Sequence, residues 1–180
     1  NRFHSKYINL EILESVLKET ETIIQTGTKF YRARVADKNG YSRKEMWAPP
    51  DDIASPGRAN SKGQSCLYLC SHKKTTVKEI RARAFDYVTI ATFKLNRDVR
   101  VLDLSSIVHS SPFYSGKDKV AYLLNESSLR KIQNDLAKPV SRLDSDLDYL
   151  STQYISDFAR FLGYDGVKYY STFDKTSYNI

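Results

Sequence analysis

Apolar residues recur along the chain at spacings close to the helical period, and these runs predict four helices. The predicted helices span Tyr7 to Ile24, Thr75 to Ala84, Lys117 to Ala137 and Tyr149 to Leu162. Thr75 or Thr76 is a suitable N-cap for the second helix. Gly27 and Gly163 follow the first and last apolar runs, where a glycine commonly ends a helix.

Runs of β-branched and aromatic residues predict the strands. They span Phe30 to Val35, Ser65 to Cys70, Tyr87 to Leu95, Val99 to Leu104 and Val167 to Ser171, and Ser177 to Ile180 begins a further one. Between the first two strands, residues 36–63 are irregular and contain the turn signals Asn39-Gly40 and Pro56-Gly57. A segment of that length is uncommon in a small domain and is often functional. The order of elements predicts a mixed α/β (α+β) fold rather than the regular alternation of a doubly wound sheet.

The composition is that of an ordinary globular protein. Hydrophobic residues make up 41% and charged residues 27% of the 180 residues, so disorder throughout is not expected. No apolar run approaches the roughly 20 residues that span a bilayer, and residues 1–10 lack the apolar core of a secretory signal. We therefore expect a cytoplasmic protein without a membrane anchor. Cys66 and Cys70 are expected to be reduced, because an i, i+4 pair on one strand lies too far apart to bridge.

The net charge of +7 favours an anionic partner, such as a nucleic acid, a nucleotide, phosphate or an acidic protein. A solvated basic surface explains the same charge about as well. The sequence contains no phosphate-loop motif, no glycine-rich dinucleotide motif and no zinc-protease or nucleophile-elbow motif. His4, His72 and His109 do not stand at metal-ligand spacing, so no metal site is expected.

A few polar residues stand where a functional role and an ordinary structural role are both plausible. Arg32 and Arg34 share one face of the first strand, which is either a solvated surface or the wall of an anion pocket. Arg58 closes the irregular segment, where its fork suits a phosphate but is also typical of an exposed loop. Tyr68 fits ordinary core packing, and Glu79 fits a solvated helix face. Taken singly, each residue is explained about as well by structure as by function.

Taken in order, these segments resemble the RES domain, a family named for an Arg, a Glu and a Ser. The matching stretches are Tyr31-Arg32-Ala33-Arg34, Met46-Trp47-Ala48-Pro49-Pro50, Gly57-Arg58-Ala59-Asn60 with Gly63, Leu67-Tyr68-Leu69, Thr75 to Arg81, Val101-Leu102-Asp103-Leu104, Tyr149 to Gln153, Gly163 to Val167 and Tyr169-Tyr170-Ser171. The resemblance covers residues 29–180 and leaves residues 1–28 as a helical N-terminal extension. Family members tend to continue past Tyr178 to Ile180 into a final apolar strand, so this chain is expected to lack that strand.

The resemblance implies a fold, an activity and a set of site residues. RES domains are toxins of bacterial toxin–antitoxin pairs, usually with an Xre-like antitoxin, and their fold is similar to that of ADP-ribosyltransferase toxins. It therefore implies a single domain with a mixed or split central sheet and flanking helices, which consumes NAD as a substrate and carries no prosthetic group. The implied catalytic residues are Arg32, Glu79, Tyr68 and Ser171. The implied residues for binding NAD or phosphate are Arg58, Arg34, Asn60 and Gln153.

These residue types suit cleavage of the nicotinamide–ribose bond. Arginine forks match the oxygens of a pyrophosphate. A carboxylate such as that of Glu79 stabilises the oxocarbenium-like ribose that forms as nicotinamide leaves, or orients the nucleophile. Tyr68 would stack on nicotinamide or hold it through its hydroxyl. Ser171 would hold a hydroxyl of the nicotinamide ribose or orient the nicotinamide end.

Three hypotheses remain open from the sequence. In the first, phosphate or water accepts the ADP-ribose of NAD; in the second, a target protein accepts it. The third is a basic module that binds nucleic acid without catalysis, which the net charge of +7 and the 13 tyrosines allow. The dispersed basic residues and the absence of a nucleic-acid-binding motif disfavour this third hypothesis.

Overall fold

In the computed structural model of this protein, the described residues are 14, 17–105, 130, 131, 134, 135 and 149–180. Within them lie the strands β1 (Glu21–Ile24), β2 (Lys29–Ala36), β3 (Tyr87–Lys94), β4 (Val99–Asp103), β5 (Gly166–Ser171) and β6 (Asp174–Asn179). Two helices have both ends within the described residues, α1 (Lys73–Glu79) and α2 (Leu150–Phe161), and a 3-10 turn spans Asp51–Ile53. The fold is a small mixed α/β domain, as predicted.

The strands form two sheets. One has the order β1-β4-β5-β6, in which only β4 and β5 are parallel, and the other is the antiparallel pair β2-β3. The extended segment Leu69–Ser71 joins them. Cys70 exchanges two backbone hydrogen bonds with Tyr31 of β2, and Leu69 exchanges two with Ile180, just beyond β6. A split sheet therefore results, and this short segment holds its two parts together.

The core lies against β4 and β5, where α2 packs. Buried side chains of α2 recur at Thr152, Ile155, Phe158 and Ala159, which is the spacing of a single helix face. Gly163 follows with a φ of 80°, a conformation in which glycine commonly ends a helix. None of the helices in the described ranges is long and apolar enough to cross a membrane.

Elements with a strong local pattern are confirmed. Five predicted elements agree with the structure to within one residue at each end. They are the strands that begin near Phe30, Tyr87, Val99 and Val167, now β2, β3, β4 and β5, and the helix over residues 149–162, now α2. The last strand is also confirmed, although β6 begins three residues earlier than predicted. Cys66 and Cys70 are free thiols, as expected.

Four details of the prediction are wrong. Glu21–Ile24 is a strand rather than the end of a helix, because its β-branched residues pair with β4. Residues 65–70 form a ladder only at their C-terminal end, since only Leu69 and Cys70 reach a partner strand. Helix α1 follows His72, so neither threonine is the N-cap, and it ends five residues early because Arg81 adopts a left-handed φ of 50°.

Two predictions fall largely outside the described residues. From the first predicted helix, Glu14, Leu17 and Lys18 are described and helical. From the helix predicted over residues 117–137, only 130, 131, 134 and 135 are described, and these are helical. His4 and His109 also lie outside the described residues.

Candidate active site

A cavity of ≈ 320 Å³ opens where the two sheets meet. Its wall combines residues from β2, the Gly57-Arg58 turn, the Leu69–Ser71 segment, α1, β5 and β6. The charged and polar side chains of this wall include Arg32, Arg34, Arg58, Tyr68, Glu79, Tyr169 and Asn179. Five of the eight residues implied by the sequence therefore share one cavity, and its size is that of a small-molecule site.

Glu79 is the last residue of α1, and its carboxylate is anchored from one side. Ser171 donates its hydroxyl to Oε1 at 2.5 Å, and the side-chain amide of Asn179 donates to the same oxygen at 3.1 Å. No further hydrogen bond to this carboxylate comes from the part of the chain that the structure describes. Both bonds meet at Oε1 and fix the orientation of the group, whereas Oε2 accepts no hydrogen bond from the described residues.

Ser171 does not line the cavity itself but contacts Glu79, which does. It is 3% exposed at the end of β5, and its hydroxyl also accepts the backbone N–H of Phe173 at 3.2 Å. Asn179 is also buried, in β6, where it pairs with Tyr169 of β5. Sequence reasoning missed Asn179. Its signal was an amide side chain inside a strand, between Tyr178 and Ile180.

Arg58 is presented by a tight turn whose two ends, Gly57 and Asn60, are bridged by backbone hydrogen bonds. The side-chain amide of Asn60 donates to the carbonyls of Ser55, Ser61 and Gln64 at 2.9 to 3.2 Å. Its carbonyl accepts the hydroxyl of Tyr68 at 2.7 Å. Asn60 therefore holds the turn together.

Tyr68 contributes its ring to the cavity and its hydroxyl to the turn. The hydroxyl oxygen accepts the backbone N–H of Ala59 at 2.9 Å while its proton goes to Asn60. Burial raises the pKa of Tyr68 well above its ordinary value, so the hydroxyl keeps the proton that it donates. Burial likewise raises the pKa of Tyr169 above its ordinary value. The positive charge of Arg58 opposes this rise and the negative charge of Glu79 adds to it, so the ring lies near both residues.

Helix α2 supports the same turn. Gln153 donates its amide to the carbonyl of Gly57 at 2.9 Å, and Thr152 donates its hydroxyl to the carbonyl of Arg58 at 2.6 Å. Thr152 is fully buried and Gln153 is 7% exposed. Thr152 was not singled out from the sequence. The signal was two consecutive polar residues at the start of an amphipathic helix, one of them on its buried face.

Arg32 and Arg34 line the same cavity from β2. Arg32 donates to the carbonyl of Trp47 at 3.2 Å, and Arg34 donates to the carbonyl of Glu45 at 2.8 Å while lying 4.0 Å from the centre of the Tyr41 ring. Burial lowers the pKa of Arg32, and its neighbour Arg34 lowers it further. An arginine stays charged despite such a shift. Each guanidinium has five N–H donors, so the bond to a carbonyl leaves others for an anion.

The described part of the chain thus defines a class: a small α/β domain with a cavity whose wall contains an anchored carboxylate and several arginines. The RES domain family matches residues 29–180, a range that contains the whole wall of the cavity. The chain belongs to the RES domain family. RES domains are in general associated with NAD-acting toxins and with toxin–antitoxin pairs. Comparisons with curated proteins and with solved structures give no match.

Proposed function

We propose that this domain consumes NAD by cleaving the bond between nicotinamide and its ribose. The observation that carries the proposal is the anchored carboxylate of Glu79, which shares a cavity with Arg32, Arg34 and Arg58. NAD joins a cationic nicotinamide ribose to an anionic pyrophosphate, so it matches a cavity with one carboxylate and several arginines.

The chemistry requires stabilisation of positive charge. The glycosidic C–N bond breaks with its electron pair moving to the nicotinamide nitrogen, and nicotinamide leaves as a neutral molecule. The ribose then carries an oxocarbenium-like charge, which Oε2 of Glu79 stabilises. Phosphate or water forms the new bond to the same carbon, and an attacking water releases one proton to the solvent.

The remaining wall residues bind and orient. The arginines hold the pyrophosphate, and the ring of Tyr68 packs against the nicotinamide end. Ser171 and Asn179 act as positioning residues, since both donate to Glu79. Asn60 and Gln153 act on the turn that carries Arg58. Ser171 and the hydroxyl of Tyr68 are therefore not expected to contact NAD directly, because those hydroxyls already have partners within the protein.

Identifying the products of NAD tests the proposal and its acceptor. The chain is incubated with NAD, with and without inorganic phosphate, and the products are separated and identified by mass spectrometry. Nicotinamide together with ADP-ribose-1″-phosphate indicates phosphate as acceptor, and nicotinamide with free ADP-ribose indicates water. An ADP-ribosylated protein, in a mixture supplied with candidate targets, indicates transfer to protein. Unchanged NAD combined with salt-sensitive binding of RNA or DNA would instead favour the non-catalytic module.

The family context extends the proposal to the cell. We place the activity in the bacterial cytoplasm, where NAD is available, and expect an Xre-like antitoxin to restrain it. Expression of the chain without such a partner is then expected to deplete NAD and arrest growth. Normal growth and normal NAD, measured alongside confirmed soluble expression, would contradict this.

Substitution of Thr152 tests whether α2 positions Arg58. Thr152→Val is nearly isosteric but removes the hydroxyl that Arg58 accepts at 2.6 Å, so the turn loses a bond worth about 1 kcal/mol. We expect a rise of about 3- to 10-fold in the KM for NAD with little change in kcat, because Arg58 binds substrate and transition state alike. Steady-state kinetics measures the split. Thr152→Ser restores the hydroxyl and should recover the KM, whereas an unchanged KM in Thr152→Val would refute the positioning role.

A further inference from the structure

A second cavity continues from the active-site cavity. It has a volume of ≈ 680 Å³, and Arg32, Arg34 and Tyr68 belong to the walls of both. The two arginines and the tyrosine therefore stand at the junction. A ligand in contact with these three residues therefore borders both cavities.

Besides charged residues such as Lys44 and Glu45, the wall of this second cavity has an apolar part that carries the ring of Trp47. Trp47 is 60% exposed, and Ile53, which follows Pro49 and Pro50 in the same wall, is 67% exposed. An exposed tryptophan ring close to two prolines offers a surface on which a flat ring can stack.

The tryptophan is held in place. Its ring packs against Phe93 of β3 with 5.5 Å between ring centres, and its carbonyl accepts the hydrogen bond from Arg32. Arg32 thus links this stacking surface to the junction. Because Phe93 supports the ring while most of its surface stays exposed, stacking a second ring on it requires little rearrangement.

We propose that Trp47 and the neighbouring Pro49, Pro50 and Ile53 bind the adenine end of NAD. The inference rests on the proposed function in one respect, because that function places the nicotinamide ribose beside Glu79. With that end fixed, the pyrophosphate lies at Arg32 and Arg34, and the adenine reaches the second cavity. The dinucleotide has the same order as the walls: the adenine base, the anionic pyrophosphate, and the ribose that carries the cationic nicotinamide.

A third cavity of ≈ 250 Å³ fits this role less well. It lies across Tyr68, and aliphatic side chains such as Leu67, Leu95 and Val99 dominate its wall. Its arginine is Arg160, so it has no share in the Arg32–Arg34 junction. An adenine placed there would draw the pyrophosphate away from both arginines of β2.

Fluorescence gives a direct test, because Trp47 is the single tryptophan of the chain. Titration of the wild-type chain with AMP is expected to change its tryptophan emission saturably. Ribose 5-phosphate, which has the phosphate without the base, should leave the emission unchanged, and free N-acetyltryptophanamide corrects for absorption by AMP. Emission that AMP does not change, or that both ligands change alike, would overturn the inference.

Kinetics with a dinucleotide and a mononucleotide provides the second test. Trp47→Ala is expected to raise the KM for NAD by about 5- to 100-fold, the effect of losing one aromatic–base stack, while cleavage of nicotinamide mononucleotide stays unchanged. Trp47→Phe keeps a ring and should retain most of the affinity. Phe85→Ala is the matched control, since Phe85 is another exposed aromatic side chain but lies outside these cavities.

Failure of this inference differs from failure of the proposed function. If Trp47→Ala impairs both substrates equally, or neither, NAD cleavage stands and the adenine site is rejected. If the wild type does not consume NAD, the proposed function fails, and the AMP titration alone decides the adenine site. If Trp47→Ala does not fold, as judged by circular dichroism, Ile53→Ser on the same wall replaces it with the same expected split between the two substrates.

Discussion

Glu79→Gln is expected to lower kcat for NAD consumption by at least about 100-fold, the scale on which loss of a charge-stabilising group acts. The carbonyl oxygen of glutamine still accepts the bonds from Ser171 and Asn179, which the structure shows meeting at Oε1. The shape of the site is therefore retained, while the negative charge that faces the oxocarbenium-like ribose is lost. The KM should change little, because the charge acts mainly in the transition state.

The measurement is the rate of nicotinamide release, with thermal unfolding as a check on the fold. Asp52→Asn is the matched control, because Asp52 is an exposed carboxylate outside the cavity and its neutralisation should leave the rate unchanged. Ser171→Ala should fall between the two, since it loosens the carboxylate without removing its charge. Nicotinamide release by Glu79→Gln at the wild-type rate would exclude Glu79 from the reaction.

How far the fold followed from the sequence depended on the distance over which each element is stabilised. The α2 helix carries its own amphipathic pattern and its own glycine stop, so a local reading predicted it well. Strand β1 and the Leu69–Ser71 segment exist because of partners far along the chain: β4 for the first, β2 and the end of β6 for the second. Sequence periodicity contains no information on those partners.

The site shows the same division. Arg32, Arg58 and Glu79 belong to motifs with recognisable order, and the structure brings them into one cavity. The sequence could not separate residues that face the cavity from residues that support them, because both are polar and lie in the same motifs. Ser171 and Gln153 do not line the cavity, and their hydrogen bonds are directed at protein atoms.

Missed residues fall where sheet register or helix phase sets the contact. Asn179 reaches Glu79 only because β6 pairs with β5 in a register that places it opposite Tyr169. Thr152 reaches the carbonyl of Arg58 because it lies on the buried face of α2. Trp47 lay in a recognised motif, yet only the cavity shared with Arg32 and Arg34 indicates a role for its ring.

Gly57→Ala is expected to lower the free energy of unfolding by about 1 to 3 kcal/mol, the usual cost of forcing extra volume into a packed site. A Cβ at residue 57 would lie 2.7 Å from Oδ1 of Asn60 and 2.7 Å from the hydroxyl oxygen of Tyr68. Neither atom can move freely, because the two are bonded to each other and the Tyr68 hydroxyl also accepts the N–H of Ala59. The turn must therefore shift and carry Arg58 with it, so the KM for NAD should rise as well.

Denaturant unfolding of a double-mutant cycle with Tyr68→Phe isolates this clash. Tyr68→Phe keeps the ring but removes one of the two atoms that the new Cβ would meet, so Gly57→Ala should cost less in that background than in the wild type. Coupling between contacting residues is typically about 0.5 to 3 kcal/mol. Gly166→Ala is the matched control, because its Cβ would meet only Val101, at 4.0 Å, and should be tolerated. Strict additivity of Gly57→Ala and Tyr68→Phe would show that the turn adapts without the Tyr68 hydroxyl. The other bonds to the turn, from Asn60, Thr152 and Gln153, would then be sufficient to hold Arg58 in place.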